Sequence, residues 1–231
     1  MDNKELTVII PAYLEEENLT IILPRLSHVL KTIGGNCEVL VVDTIQPMDN
    51  TKKVCDENGA VYISRSGGNN YGDAIRTGIS YANGKYTIFM DADGSHSPEF
   101  IKNLYKNKDG QDVVVASRYV KDGNTENSKM LIFMSLVVNV IYSFVLNIKC
   151  KDISNSFKLY KTEDLKSLKL SCGNFDIVEE ILFKLKKKKG VLKIKEIPFL
   201  FRKRMFGNTK RNLFLFMLSY IITIIKLRFG R

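Results

Sequence analysis

Two aspartates, Asp91 and Asp93, stand two residues apart in the stretch FMDADGSH at residues 89–96. Hard divalent cations prefer oxygen ligands, and Mg²⁺ usually takes one or two protein carboxylates together with substrate phosphates. The pair directly follows 86–90 (YTIFM), an apolar run typical of a buried strand. An Asp-x-Asp pair is common by itself, but after a strand it indicates a site for a divalent metal, Mg²⁺ or Mn²⁺.

Short β-rich apolar runs alternate with helix-length stretches along the first half of the chain. This alternation predicts an α/β fold, in which a mostly parallel sheet carries helices on both faces. The apolar runs are 6–10, 37–43, 60–64, 86–90 and 112–117, and the helical stretches lie near 15–33, 51–58, 70–83 and 98–107.

Three loops that follow predicted strands are polar and acidic: 11–18, 43–51 and 91–99. Ligands of open α/β sheets bind outside the C-terminal ends of the strands. We therefore expect the binding site at this edge, with the aspartate pair at its centre.

Positive charge is concentrated in the last part of the chain. The formal net charge is +10, and from Lys184 to the end there are 15 Lys and Arg residues against a single acid, Glu196. This excess predicts an anionic partner. Apolar residues follow the basic stretch, whereas surfaces that bind nucleic acid combine cations with stacking aromatics. We therefore expect a membrane lipid surface and no nucleic acid.

Two segments of the C-terminal half are strongly apolar. Residues 130–148 would form a helix of about 28 Å, close to the thickness of a bilayer core. Its polar residues recur at every fourth position, as Ser135, Asn139, Ser143 and Asn147. A single span would place 91–99 and 202–211 on opposite sides of a membrane, so we expect a buried, interfacial or re-entrant helix. Residues 213–225 are too short to cross and predict an interfacial anchor or, alternatively, a core helix.

The cysteines and the start of the chain bear on its compartment. The four cysteines are far apart and form no CxxC pair, so we expect reduced thiols and no zinc site. The chain begins with an acidic stretch followed directly by a strand-like run, which is unlike a secretory signal peptide. These features predict a cytosolic environment.

Six segments, in order from about residue 6 to 210, resemble the motifs of family 2 glycosyltransferases. The similarity is to the dolichol-phosphate mannosyltransferase-like and polyprenyl-phosphate glycosyltransferase branch. The segments are VIIPAYLEEENL, VVDTIQPMDNT, NYGDAIRTGISYANGKYTIFMDADGSHSPE, ASRYVKDG, KDISNSFKLY and EIPFLFRKRMFGNTK. The resemblance implies a GT-A fold over 1–211, and we assign 212–231 to a basic-flanked amphipathic helix that associates with a membrane.

The resemblance also implies roles for individual residues. Asp91 would contact the nucleotide and share a metal site with Asp93, whose metal bridges the diphosphate. The donor nucleotide would be bound by Pro11, Tyr13, Glu15, Asp43 and Asp91. The catalytic set, which includes cations for pyrophosphate and lipid phosphate, would be Asp93, Arg118, Arg204 and Lys210.

The chain departs from the family pattern at several positions, some of them beside the expected nucleobase. Leu14 stands where Asn is usual, and Thr44 replaces the second acid of an Asp-Asp pair. Ser156 stands where Gly is expected. The changes beside the base leave the identity of the donor open.

The reaction that the resemblance implies is a single inverting displacement. A sugar would pass from a nucleotide-diphosphate sugar, GDP-mannose or a UDP-sugar, to a polyprenyl or dolichyl phosphate. The enzyme would be peripheral or monotopic at the cytoplasmic face of a membrane. A phosphate monoester has a second pKa near ~6 and is already a dianionic nucleophile at neutral pH, so no general base is required.

Two alternatives make different demands on the residues. Transfer to a glycan hydroxyl would need a general base, for which the candidates are Asp176, Glu179 and Glu180. A catalytically inactive, membrane-binding relative would need no metal site, and the intact aspartate pair argues against it.

Overall fold

The computed structural model describes residues 4–207 and 222–228. The strands are β1 (Lys4–Pro11), β2 (Cys37–Asp43), β3 (Val61–Ser64), β4 (Gly84–Phe89), β5 (Val113–Ser117), β6 (Asn124–Thr125), β7 (Lys158–Lys161), β8 (Ile194–Pro198) and β9 (Leu200–Phe201). The helices are α1 (Glu16–Ile33), α2 (Thr51–Glu57), α3 (Tyr71–Tyr81), α4 (Ile101–Lys106), α5 (Lys129–Val145), α6 (Thr162–Lys166) and α7 (Ile177–Lys189), with a 3₁₀ turn at Pro98–Phe100.

Seven strands form one sheet in the order β3-β2-β1-β4-β7-β5-β8. β7 runs antiparallel to both of its neighbours, and the other strand pairs of this sheet are parallel. β6 and β9 form a separate parallel pair. The prediction of a mostly parallel α/β sheet is therefore confirmed.

Helices cover both faces of the sheet, as predicted. One hydrophobic core contains α1 and α4 packed on inward side chains of β1 and β4. The other contains α3, α5 and α7 packed on the opposite face. Strands covered on both sides must be apolar almost throughout, which explains why β1, β2 and β5 read as continuous apolar runs.

The sequence patterns missed β7 and β8. β7 has the sequence KLYK, and its first lysine is buried, so the strand lacks the apolar run that marks β1. β8 has alternating exposure because, among the described strands, it lies at the edge of the sheet and pairs with β5 alone. β7 lies beside β4, the strand that leads to the aspartate pair, and β8 lies beside β5.

α5 corresponds to most of the apolar segment 130–148. Its buried residues are Val138, Asn139 and Tyr142. Of the predicted polar stripe, Asn139 points into the domain, Ser135 and Ser143 are half-buried, and Asn147 is exposed. The exposed face is apolar, with Phe133 67% and Phe144 86% exposed. We call this surface the α5 outer face; it is formed by Met130, Phe133, Val137, Val140, Ile141 and Phe144. Among the described residues, no helix combines the length and hydropathy needed to cross a bilayer.

Residues 222–228 form a helical segment near the end of the chain. The Thr223 hydroxyl donates a hydrogen bond to Asp176, the residue before α7, and Ile224 and Leu227 pack against the core beneath α7. Ile225 is 54% exposed. This part of the predicted anchor therefore contacts the domain on one side and presents apolar surface on the other.

Candidate active site

The ends of β1, β2 and β4 bring three loops together, because these strands are parallel neighbours in the sheet. We call this region the carboxyl edge; it consists of residues 11–18, 43–51 and 90–97. Each of these loops is acidic, so the backbone pairing gathers the carboxylates that the sequence placed after separate strands.

Asp93 lies at the turn after β4 and is 20% exposed through its side chain. Its Oδ1 accepts hydrogen bonds from Ser95 N at 3.0 Å and Ser95 Oγ at 2.5 Å. Burial acts to raise the pKa of Asp93, but these bonds and the nearby cation of Arg204 outweigh it, so the pKa lies below the usual value. Asp93 is thus held as a carboxylate and points its Oδ2 at a cation.

Asp91 is fixed at both its carboxylate and its backbone. Its Oδ1 accepts hydrogen bonds from Ser156 Oγ at 3.1 Å and from Tyr71 Oη at 3.4 Å. Its backbone N–H donates to His96 Nδ1 at 2.9 Å. The structure therefore brings the predicted pair together at the carboxyl edge, with Asp91 restrained by His96 of its own loop and by the more distant Tyr71 and Ser156.

His96 is fully buried, and its ring supports the backbone of the loop that contains Asp91 and Asp93. Because Nδ1 accepts from Asp91, the imidazole proton lies on Nε2, which is 3.2 Å from Asn155 Oδ1. The ring stacks on Phe157 with a centroid distance of 4.5 Å. Burial lowers the pKa of His96, although the carboxylates of Asp91 and Asp93 oppose this shift. A neutral, enclosed imidazole positions the loop and has no access to a substrate proton.

A cation from the far end of the chain reaches the carboxyl edge. Arg204 Nη1 donates to both carboxylate oxygens of Glu15 at 3.0 and 3.1 Å, and its Nη2 lies 3.4 Å from Asp93 Oδ2. The backbone N–H of Met205 donates to Asp93 O at 2.9 Å. The Met205 side chain covers Gly94, where an added Cβ would lie 2.5 Å from Met205 Cγ. The loop at 202–207 thus closes over the aspartate loop.

Glu15 is buried and has protein partners. Asn18 Nδ2 donates to Glu15 Oε2 at 2.6 Å, and Asn18 Oδ1 accepts from Phe206 N at 3.1 Å. Burial raises the pKa of Glu15 despite the opposing Arg204 guanidinium. The sequence predicted that Glu15 contacts the nucleobase, whereas the structure places its carboxylate on Arg204.

The remaining residues that the sequence predicted to bind the donor nucleotide lie at or just after the ends of β1 and β2. Pro11 ends β1, Tyr13 is 36% exposed, and Asp43 is buried at the end of β2. Asp43 accepts a hydrogen bond from Tyr62 Oη at 3.1 Å, and burial raises its pKa. Leu14 has a φ of 55°, in the left-handed region that Asn tolerates better than Leu.

Arg65 lies beside the loop that follows β1, and sequence patterns did not indicate this. Its guanidinium is buried and donates hydrogen bonds to the carbonyl oxygens of Ala12 and Asn69. It therefore ties the loop after β1 to the loop before α3. A lone arginine after a strand resembles a surface residue, which is why the sequence did not single it out.

Arg118 is brought near the same edge but is already bound to a carboxylate. Its Nε and Nη2 donate to the two oxygens of Asp152 at 2.8 and 2.6 Å, and Nη2 also reaches Ser154 Oγ at 3.1 Å. Its guanidinium lies 5.0 Å from the Tyr119 ring centroid. The sequence predicted a bidentate grip on phosphate; the structure shows a bidentate grip on Asp152.

The carboxylates that would serve a glycan hydroxyl are enclosed. Glu180 accepts hydrogen bonds from Ser171 and from Cys172 N, and Asp176 accepts from Thr223. Glu179 is 0% exposed. All three stabilise or lie within the start of α7, so none presents an accessible oxygen for a base. Lys210, the remaining predicted site residue, lies outside the described residues.

Known proteins provide an independent comparison. A family model described as Glycosyl transferase family 2 matches residues 7–169. A Dolichol-phosphate mannosyltransferase of Pyrococcus furiosus is 34% identical over 215 residues, which cover 89% of this chain and 59% of that protein. A Polyprenol monophosphomannose synthase of Mycolicibacterium smegmatis is 29% identical, over 88% of this chain and 79% of that protein. The chain thus spans less than two thirds of the Pyrococcus relative.

Solved structures share the fold at low sequence identity. Glucosyl-3-phosphoglycerate synthase from Mycobacterium tuberculosis, crystallised with Mn²⁺, UDP and its product, superposes with a TM-score of 0.73 at 17% identity, covering 97% of this chain and 80% of that one. The same enzyme with Mg²⁺ and UDP gives a TM-score of 0.72, also at 17% identity, over 97% and 79%. At this identity the likeness concerns the fold, and it confirms the predicted GT-A class.

Proposed function

Because the chain belongs to glycosyl transferase family 2, we propose that it transfers a sugar from a nucleotide-diphosphate sugar to a polyprenyl phosphate at a membrane surface. The named activities of the two relatives support this substrate class. The proposal includes an inverting displacement and leaves GDP-mannose and UDP-sugars as candidate donors.

One observation carries the proposal: Arg204 stands between Glu15 and Asp93 at the carboxyl edge, within 3.0 and 3.4 Å. A cation and a partly exposed carboxylate at the ends of parallel strands are suited to a diphosphate that brings its own metal ion. The guanidinium now contacts Glu15 through Nη1 and Asp93 through Nη2, and the same two nitrogens could donate a pair of hydrogen bonds to phosphate oxygens.

The residues present suit a hard divalent ion. Within residues 4–207 and 222–228, no cluster of three or more His, Cys, Asp or Glu side chains could hold a metal by itself. Mg²⁺ commonly needs only one or two carboxylates when a diphosphate supplies further oxygens. Asp93 Oδ2, which already faces a cation, and Asp91 would hold the ion. The metal would supply charge neutralisation for the leaving nucleoside diphosphate.

The protein's own side chains prepare this site. His96 fixes the backbone of Asp91, Ser95 fixes the carboxylate of Asp93, and Glu15 orients Arg204. Groups that are aligned before the reaction stabilise developing charge without the cost of reorientation. The leaving diphosphate would therefore meet a preformed cationic and metal-binding surface.

The acceptor side supports a phosphate nucleophile. A lipid phosphate needs no general base at neutral pH, and the three carboxylates at 176, 179 and 180 are all enclosed. A glycan hydroxyl would need one of them to be accessible. The burial of these groups therefore favours the phosphate acceptor.

The α5 outer face supports a membrane location. Its side chains at 133, 140 and 144 are more than half exposed, and soluble surfaces rarely keep so many large apolar groups together. Exposed Lys226 and Arg228 accompany Ile225 in the helical segment 222–228. Apolar side chains beside cations are the composition of an interfacial membrane contact. We assign this contact to the cytoplasmic leaflet.

The experiment is a transfer assay with a panel of labelled nucleotide sugars and Mn²⁺ or Mg²⁺. Each donor is paired with polyprenyl phosphate, with the matching free polyprenol, and with an oligosaccharide. We expect label in an organic-soluble, mild-acid-labile product from the lipid phosphate only. Product on the oligosaccharide and none on the lipid phosphate would replace the proposal with the glycan-transferring alternative.

A further inference from the structure

Lys158, the first residue of β7, is a lysine with 0% exposure in the centre of the sheet. Its ammonium donates hydrogen bonds to the carbonyl oxygens of Ile153, at 2.8 Å, and Asn155. Lysine is almost never fully buried without a compensating partner, because removing its charge from water is costly. Burial accordingly lowers the pKa of Lys158, with nearby Cys150, Asp152 and Glu179 opposing the shift.

The two carbonyls belong to residues 152–156, which we call the 152–156 turn. Successive side chains of this turn point to different parts of the site. Asp152 binds Arg118, and Asn155 Oδ1 receives the Nε2 proton of His96. Ser156 Oγ donates to Asp91 Oδ1. One short segment therefore contacts the arginine, the histidine and the first aspartate of the site.

Backbone N–H groups of the turn have partners of their own. Asn139 of α5 accepts a hydrogen bond from Ser154 N at 2.9 Å, and Glu196 of β8 accepts from Asp152 N at 3.1 Å. Among the hydrogen bonds of the described residues, only Lys158 donates to the carbonyl oxygens of Ile153 and Asn155. An apolar side chain at position 158 would leave the Ile153 and Asn155 carbonyls without this donor.

We propose that Lys158 is a positioning residue for the donor site: its ammonium fixes the 152–156 turn, and the turn holds Asp91 in place. The restraint acts along two routes. Asn155 orients His96, which accepts from the Asp91 backbone, and Ser156 restrains the Asp91 carboxylate directly. This role rests on the proposed function, because Asp91 matters only if it contacts the donor or its metal.

The imidazole of His96 reports on this arrangement without any assay of activity. The chain has two histidines, His28 and His96, so a His28→Gln background leaves one set of ring signals for nitrogen-15 NMR. We expect the single Nε2–H tautomer in this background. Lys158→Met should give a mixture of tautomers, whereas Lys161→Met, on the same strand, should leave the spectrum unchanged.

A purely structural lysine would lower the melting temperature yet leave the tautomer intact, and that result would overturn the proposal. If Lys158→Met does not fold, Asn155→Ala decides, since it cuts the link to His96 and keeps the buried ammonium. A wild-type tautomer and donor affinity in a folded Asn155→Ala variant would also overturn it.

Measurement of donor binding distinguishes a failure of the positioning role of Lys158 from a failure of the proposed function. We expect Lys158→Met to weaken binding of the Mn²⁺–nucleotide by roughly 10-fold to 100-fold, the penalty typical of a misplaced site group. If the wild type transfers sugar and the variant binds the nucleotide equally well, the positioning role fails and the function stands. If the wild type transfers nothing from any donor, the proposed function fails while the tautomer still decides the role of Lys158.

Discussion

The carboxyl edge and the α5 outer face use polar and apolar side chains in opposite ways. At the carboxyl edge, charged groups such as Asp93 and Glu15 are largely enclosed, and each has partners within the protein. On α5 the polar Asn139 is buried against the domain, and Phe133 and Phe144 are exposed. The first region is therefore arranged before a ligand arrives, whereas the second exposes apolar surface that we propose to be covered by a membrane.

Removal of Asp93 should have the largest effect on the carboxyl edge. Asp93→Ala deletes the carboxylate that faces Arg204 and, by our proposal, the metal, so transfer should fall at least about 1,000-fold. Thermal unfolding should shift by only a few degrees, because the side chain is partly exposed. Asp109→Ala, at a carboxylate 84% exposed, is the matched control. Substantial activity in Asp93→Ala would remove the aspartate from the mechanism.

Substitution of Arg204 tests whether the shape of the cation matters. Arg204→Lys keeps the charge but cannot contact Glu15 and Asp93 through separate nitrogens, as the planar guanidinium does. We expect a loss of about 10-fold to 100-fold in kcat/KM. Arg202→Lys, at an exposed arginine two residues away, is the control. Unchanged kcat/KM in Arg204→Lys would mean that positive charge alone, and not this geometry, serves the site.

Much of the carboxyl edge was predictable because it depends on local pattern. Apolar runs marked β1, β2 and β4, and parallel strands must end at one edge, so the positions of Asp91 and Asp93 followed. The pairing of Glu15 with Arg204 joins residues 189 positions apart, and no local pattern contains that information. The same holds for Arg118 and Asp152, whose mutual grip changed the expected partner of the arginine.

The second half of the chain resisted prediction for a different reason. The four-residue spacing of polar groups in α5 indicated a helix with a polar stripe, but periodicity does not say which side faces the domain. In the structure Asn139 faces inward and accepts a hydrogen bond from the 152–156 turn, whereas Asn147 of the same stripe is exposed. The burial of Lys158 could not be read from the sequence either, since a lysine at a strand end normally indicates exposure.

The α5 outer face should respond to changes that leave the carboxyl edge untouched. Full burial of a Phe side chain is worth roughly 1.5–3 kcal/mol, and partial insertion of two rings a fraction of the sum. Phe133→Ser with Phe144→Ser should therefore weaken binding to vesicles of zwitterionic and anionic phospholipid at least about 10-fold. Nucleotide binding should not change. Val191→Ser, at another strongly exposed apolar residue, is the control. If the double variant floats with vesicles as the wild type does, α5 is not part of the membrane contact.

The smallest effect is expected at an exposed ion pair beside the carboxyl edge. Arg25 binds Glu99 through two nitrogens at 2.8 and 3.0 Å, and these bonds lower the pKa of Glu99 to about 2. Because the pair is solvent-exposed, Glu99→Gln should cost about 0.2–1 kcal/mol of stability and leave transfer unchanged. A large loss of transfer in Glu99→Gln would show that a side chain near the carboxyl edge affects transfer even when it is solvent-exposed.

The pH dependence of that pair has a definite sign. A carboxylate whose pKa is lowered on folding contributes stability above its unfolded pKa, and this contribution is lost as the pH falls through the folded value. The difference in unfolding free energy between wild type and Glu99→Gln should therefore be constant near neutral pH and shrink from about pH 4.5 towards 2. A difference that grew on acidification would contradict the assigned ion pair.

The central claim is that Asp93 and Arg204 form a binding site for a metal-bound nucleoside diphosphate. Isothermal titration of GDP and UDP, with Mn²⁺ and with EDTA, into wild type and Asp93→Asn tests it most directly. We predict that at least one nucleotide binds the wild type with Mn²⁺ and that EDTA or the substitution weakens binding by at least about 10-fold. Equal affinity in all these conditions, or no binding of either nucleotide, would contradict the claim.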